Sequence, residues 1–350
     1  MDVQSYMEII SGKKRGPVGW LLRAALKLLS VPYSAVTTLR NLAFQNGLKK
    51  VHEIAVPVIA IGNLTTGGTG KTPVVASIVQ MLQEAGKTPG IVSRGYHADA
   101  SGENDEKRVL AVLCPDVPHQ QDPDRVAAAN VLIEQQAVNC IVLDDAFQHR
   151  RIARDLNIVL IDATNPFGFG HQLPRGLLRE SLAGLKRADL VLVTRSDSVS
   201  ADELTSIKRE VVRHNPALSD RIVSVCFQPT ELLGHGNRRQ ALESIAGQPA
   251  AVMTAIGNPA AFVETCHRLN AEIVTTRFFP DHHHFTDEEL KHSQEDAQQE
   301  GASVILTTLK DLVKISSSFD HFLAVQISTV FESDDAEAVV RDRVAVAIRN

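Results

Sequence analysis

Apolar positions in the first two hundred residues gather in short unbroken runs: VPVIAIG (56–62), GIVSRG (90–95), CIVLDD (140–145), NIVLIDA (157–163) and LVLVTR (190–195). A strand covered on both faces reads this way, because neither side meets water. Between several runs lie stretches with helical spacing, such as PVVASIVQMLQEAGK and RVAAANVLIEQQ. Strand and helix in alternation predict an α/β fold, doubly wound around a mostly parallel sheet in three α/β/α layers. A second series, IVSVCF (222–227), AAVMTAIG (250–257), AEIVTTRFF (271–279), SVILTT (303–308) and FLAVQI (322–327), predicts a smaller second α/β domain. The polar, turn-rich segment 231–249 sets the boundary near residue 230. The expected division is 1–50, 51–230 and 231–350.

The pattern changes before residue 50. GPVGWLLRAALKLLSVPYSAV (16–36) mixes Trp20, Leu21, Leu22, Leu26, Leu28 and Leu29 with Arg23 and Lys27, too polar for the roughly 20 apolar residues of a spanning helix. A signal peptide would carry an unbroken apolar stretch and a small-residue cleavage site, neither of which is here. The segment predicts an amphipathic helix, resting either in an anionic membrane interface or on the protein's own core. Residues 1–50 hold eight Lys/Arg against two acids within a chain of net charge −5, so the basic character is local. It favours the membrane surface over the protein's own core, and nucleic acid is not expected as a partner. The length of 350 residues at 44% hydrophobic suits two globular domains, and four scattered cysteines without a CxxC pair indicate a reducing compartment.

Chemistry concentrates after the first strand, in Thr65, Thr66, Gly67, Gly68, Thr69, Gly70, Lys71 and Thr72. In a GxxxxGK[ST] loop the backbone N–H groups cradle phosphates, the lysine reaches the β/γ oxygens and the hydroxyl residue ligates magnesium. Gly70, Lys71 and Thr72 match, while Thr65 stands where the first glycine belongs. ATP and Mg2+ are the expected cofactors. An acid at the end of an apolar strand completes such a metal site, and CIVLDD offers Asp144 and Asp145, which on a strand would point to opposite sides. Glu180 is a further candidate ligand. Arg94, Tyr96 and Arg125 are candidates for phosphate contacts, arginine being suited to bidentate pairing.

The segments GNLTTGGTGKT (62–72), SRGY (93–96), DDAFQHRR (144–151), LPRGLLRE (173–180) and FPDHHHF (279–285), with GNP (257–259) and TTLKD (307–311), together resemble the tetraacyldisaccharide 4'-kinases of lipid A biosynthesis over about residues 15–315. That family also shows an incomplete phosphate loop. The resemblance implies transfer of the ATP γ-phosphoryl group to the 4'-hydroxyl of an acylated glucosamine disaccharide 1-phosphate, giving lipid IVA. It implies a peripheral enzyme at the cytoplasmic face of the bacterial inner membrane, with no obligate protein partner. It further implies that 51–230 is the kinase domain, that 231–350 closes over the active site, and that an Asp in a GDEP-like turn acts as base. Asp105 of NDEK (104–107) matches that position, with Glu103 and Glu106 as neighbours and both Gly and Pro replaced. The family pairs this Asp with the His of an FxDH motif, matched by His282, expected across the interdomain cleft and formed on closure. Asp105, His282 and Lys71 are thus the candidate catalytic residues. The alternative is a P-loop metallochaperone or maturation NTPase that delivers metal through DHHH (281–284), three successive imidazoles being able to invite zinc or nickel.

Overall fold

The computed structural model describes residues 3–95 and 103–349. The chain opens with helices α1 (Val3–Ile10) and α2 (Pro17–Gln45) and proceeds through β1 (Val58–Asn63), α3 (Lys71–Glu84), β2 (Pro89–Ser93), α4 (Asp105–Leu113), β3 (His119–Gln121), α5 (Arg125–Gln136), β4 (Cys140–Leu143), β5 (Leu156–Asp162), β6 (Leu190–Thr194) and α6 (Ala201–His214). It continues as β7 (Ile222–Leu233), β8 (Arg239–Gln240), β9 (Pro249–Thr254), α7 (Pro259–Arg268), β10 (Glu272–Phe278), α8 (Asp287–Gln299), β11 (Val304–Thr308), α9 (Leu309–Leu312), β12 (Phe322–Phe331) and α10 (Asp334–Ala347). Two compact units result, one of residues 1–95, 116–226 and 329–350, the other of 96–115 and 227–328.

In the first unit the strands run parallel in the order β3-β2-β4-β1-β5-β6-β7. Every residue of β1, β2, β4 and β6 is buried. The reason is coverage on both faces: Val58, Ala60, Ile141 and Leu143 pack with Ala128, Ala129 and Leu132 of α5, while Val159, Ile161, Val191 and Val193 pack with Ile207 and Val211 of α6. Water meets neither face, so the unbroken apolar runs fit the three-layer α/β/α arrangement. A Ser200–Glu203 capping box starts α6.

The second unit orders its parallel strands β10-β9-β11-β12, with β8 antiparallel to the end of β7. Here β9 sorts its side chains by period two: Ala251 and Met253 join Leu290, Leu309 and Phe322, whereas Ala250 and Val252 join Phe262, Cys266 and Leu323. The first of these clusters also takes Val109 of α4. That contact explains why 96–115 leaves the segment 51–230 expected to hold it. The end of the chain departs from 231–350 in the opposite sense, since α10 buries Val340 and Val344 within the first unit.

Helix α2 is longer than the 16–36 segment and runs through Pro32. Its polar side faces the first unit, where the Tyr33 hydroxyl donates to the Arg179 carbonyl at 2.9 Å and Asn41 Nδ2 donates to Glu180 Oε2 at 2.9 Å. Its apolar side faces outward, with Trp20 66% and Leu28 73% exposed. Among the described residues, no helix is long and apolar enough to cross a membrane.

Candidate active site

The end of β1 and the start of α3 frame a loop whose shape follows from its residues. Gly62 lies so close to the following turn that an added Cβ would meet Phe147 N at 2.6 Å. Thr65 bridges to Leu178, Thr66 N donates to the Leu177 carbonyl at 2.8 Å, and Arg179 N donates to the Leu64 carbonyl at 2.7 Å. A β-branched residue suits this short extended pairing, which accounts for threonine where a phosphate loop begins with glycine. Thr194 Oγ1 holds the far side of the loop by donating to the Thr69 carbonyl at 3.0 Å. Gly67, at φ 115°, and Gly68 have open space where a Cβ would stand. Gly70 is the left-handed N-cap of α3 at φ 79° and supplies no side-chain cap. The first-turn N–H groups of this 14-residue helix are therefore left for an anion, favoured by the positive end of the dipole.

Cations surround the loop. Lys71 Nζ lies 3.5 Å from Asn63 Oδ1 and 3.5 Å from Asp145 Oδ1. Arg179 Nη1 donates to both Asp145 oxygens, at 3.0 and 2.9 Å. Arg125, 3% exposed, donates from Nη2 to the Asp145 carbonyl at 3.0 Å. Its Nε and Nη1 are buried without a hydrogen-bond partner among the described residues, an arrangement suited to an anionic ligand. Burial pushes the pKa of Asp145 up, but the charges of Lys71 and Arg179 prevail and hold it below the usual carboxylate range. Arg94 lies exposed beyond β2 and adds positive charge near Arg125. Tyr96 falls outside the described residues.

The paired acids differ from their strand reading. Strand β4 stops at Leu143, and Asp145 adopts φ 47°, so the two carboxylates diverge through a left-handed turn rather than through strand alternation. Asp144 is 1% exposed. Glu180, a candidate ligand, is 3% exposed and already surrounded by donors: Arg187 Nη2 at 2.8 Å, Asn41 Nδ2 at 2.9 Å and Gln148 Nε2 at 3.1 Å. Gln148 also donates to the Asn63 carbonyl at 2.9 Å, tying DDAFQH to the phosphate loop. Oxygen donors at Thr72 and Asp144, beside buried cations, are chemically suited to magnesium and a polyphosphate.

In the second unit Asp105 is the first residue of α4, whose N-cap Asn104 accepts from Lys107 N at 2.9 Å. The NDEK segment is thus a helix start, and not the turn the GDEP pattern implied. Its neighbours separate clearly: Glu106 is exposed and Glu103 pairs with Lys107 at 2.8 Å, while the Asp105 side chain is 10% exposed and lies 3.3 Å from His282 Nδ1. His282 reaches it from a backbone at φ 63°, with its N–H donating to the Ala255 carbonyl at 3.2 Å. Both members belong to one unit. The pair therefore forms within that unit, which corrects the expectation that closure of two domains assembles it. Burial pushes Asp105 up, but the His282 hydrogen bond and the charges of Lys314 and Lys310 outweigh it and leave the carboxyl more acidic than usual.

The other histidines of DHHH part company. His283 bonds Glu289 at 3.0 Å and stacks on Phe279 at 4.9 Å between centroids. Among the described residues, no three His, Cys, Asp or Glu side chains gather as a metal site. Two lysines that motif reading did not assign, Lys310 and Lys314, complete this surrounding. Lys310 lies within TTLKD (307–311), one of the segments that carry the resemblance.

The family profile described as tetraacyldisaccharide-1-P 4'-kinase matches residues 22–345. The tetraacyldisaccharide 4'-kinase of Anaeromyxobacter sp. (strain K) is 36% identical over 345 residues, covering 93% of this chain and 90% of that protein. That of Geobacter sulfurreducens is 34% identical over 348 residues, covering 93% and 94%. Among solved structures, "apo" form LpxK from Aquifex aeolicus in complex with ATP is similar with a TM-score of 0.76 at 25% identity, covering 93% of this chain and 99% of that one.

Proposed function

The chain belongs to the tetraacyldisaccharide-1-P 4'-kinase family, and on that premise we propose how its residues transfer the γ-phosphoryl group of ATP to the 4'-hydroxyl of a tetraacyldisaccharide 1-phosphate in lipid A biosynthesis. ATP and Mg2+ are the cofactors. The α3 N-terminus, Lys71 and Arg125 would hold the phosphates, and Thr72 and Asp144 would ligate magnesium, since Asp145 is engaged by Lys71 and Arg179. Magnesium, when bound, would neutralise the charge that develops on the phosphates during transfer. Glu180 orders the loop through Arg187, Gln148 and Asn41 and is not a ligand in this reading.

Asp105 accepts the proton of the attacking hydroxyl. A sugar hydroxyl holds its proton far above neutral pH, and a carboxylate as acidic as Asp105 is a poor base toward it in the ground state. Transfer of the proton follows the bond change: as the new O–P bond forms, the oxygen becomes acidic and a positioned carboxylate takes the proton late. The observation that carries this reading is the Asp105–His282 contact at 3.3 Å. With magnesium-ATP and a disaccharide 1-phosphate lipid, Asp105→Asn should lower kcat by about 10²–10⁴ with ATP affinity retained, while Glu103→Gln and Glu106→Gln stay near wild type. Wild-type turnover in Asp105→Asn would move the base elsewhere. The rival metal-delivery reading has no support in the separated histidines.

We further propose peripheral attachment to the cytoplasmic face of the inner membrane through α2. A helix resting on its own core hides its apolar side, whereas α2 spends its polar side on the protein and exposes Trp20, Leu21, Leu28, Leu29, Val36 and Leu39. The basic excess of residues 1–50 suits anionic headgroups.

A further inference from the structure

We infer that Lys310 is a positioning residue that fixes His282 as a neutral Nδ1–H donor to Asp105. The inference rests on the reading of Asp105 as proton acceptor and adds which atom the proton avoids. Lys310 stands at the start of α9, within TTLKD (307–311). Its Nζ lies 3.1 Å from Asp281 Oδ1 and 3.1 Å from His282 Nε2.

An ammonium group carries donors and no acceptor. The ring nitrogen facing it must therefore present a lone pair, so Nε2 carries no hydrogen and the ring proton sits on Nδ1. That hydrogen points at Asp105 Oδ2, 3.3 Å away. The opposite tautomer would set an N–H against the ammonium and a lone pair against a carboxylate, unfavourable at both ends. An imidazolium would keep the first of these conflicts. The charged groups facing the ring are Asp105 from α4, Lys310 from α9 and, holding Lys310, Asp281. Asp281 supplies the counter-charge that keeps the ammonium in place, which a His ring alone would not.

The chemical consequence is an assignment of the proton. A lone pair of the acceptor oxygen becomes the new O–P bond as the bond from the γ-phosphorus to ADP breaks and its electron pair leaves with ADP. The O–H pair stays on the acceptor oxygen, and the proton goes to an Asp105 oxygen and stays there until water takes it. His282 does not receive it, because the lone pair that would is already committed to Lys310. The ring's part is to orient Asp105 and keep it ionised between turnovers.

The test uses the full chain labelled with 15N-histidine, with His282 identified by the resonances lost in His282→Gln. Wild type should show a protonated Nδ1 and an unprotonated Nε2 at neutral pH. Lys310→Met should place hydrogen on Nε2, and Lys310→Arg should retain the wild-type pattern. The same Lys310→Met variant should lose on the order of tenfold to a hundredfold in kcat, with KM for ATP unchanged. A protonated Nε2 in wild type overturns the inference without need of any variant. So does a fall in kcat in Lys310→Met with the ring pattern unaltered, which would mark a merely structural part. Failure of Asp105 as acceptor would instead appear as full turnover in Asp105→Asn with the Nδ1–H pattern intact in wild type, so the two readings fail separately.

Discussion

Replacing Lys314 with Met probes the buried charge beneath the Asp105–His282 pair. Lys314 and Asp311 are 1% and 0% exposed at the side chain and 2.8 Å apart. Lys314 Nζ also donates to the His283 carbonyl at 3.0 Å and lies 5.0 Å from the centre of the Phe285 ring. Asp311 Oδ2 accepts from Thr254 Oγ1 at 2.7 Å, Thr308 Oγ1 at 2.9 Å and Ala255 N at 3.1 Å. Removing one member of a buried pair costs about 3–5 kcal/mol, because the other charge stays in low dielectric without compensation. Asp311 keeps three hydrogen bonds and Met fills the volume of the lysine stem, so Lys314→Met should lie at the low end, about 3 kcal/mol. That corresponds to a fall in Tm of about 4 °C in a chain of this size. Urea unfolding followed by circular dichroism measures it. The double variant Lys314→Met/Asp311→Asn removes the stranded charge while keeping an acceptor for the three donors, and should recover most of the loss. Stability of Lys314→Met within about 1 kcal/mol of wild type, or a double variant no better than the single, would refute the reasoning.

Three further outcomes are expected. Lys71→Met should lower kcat/KM for ATP on the order of a hundredfold, with the fold retained because Asp145 keeps Arg179 at 2.9 Å; wild-type turnover would remove Lys71 from the phosphate site. Burial, with Arg125, Arg154 and Arg151 nearby, pushes His149 down to about 4. The folded state thus holds this ring neutral while the unfolded chain protonates it near its ordinary value, so stability is full above pH about 6.5 and declines as pH falls toward about 4. His149→Gln should flatten that decline, and an unchanged slope of urea stability against pH would refute the assignment. Trp20 is the single tryptophan of the chain and is exposed on α2, so its emission should shift to the blue on adding anionic vesicles, less so with neutral ones, and a spectrum indifferent to vesicles would sink the interface reading.

Sequence alone determined the elements that depend on neighbours along the chain. Unbroken apolar runs became parallel strands buried on both faces, and GKT after a strand became the N-terminus of α3, because burial on two sides and phosphate-loop geometry leave local signatures. Asp105 and His282 were legible only through resemblance to a family; that they share one unit was not, since the packing of Val109 with Ala251, Leu290 and Phe322 joins residues distant along the chain. Which side α2 hides was equally invisible, because an amphipathic period is the same whether its apolar stripe faces a core or the surroundings; the bonds of Tyr33 and Asn41 to Arg179 and Glu180 decided it. The acids after β4 show the same limit. Their identity is a local fact, but Arg179 engaging Asp145 and Arg187 engaging Glu180 are tertiary facts, and a carboxylate's role depends on which cations the fold brings to it.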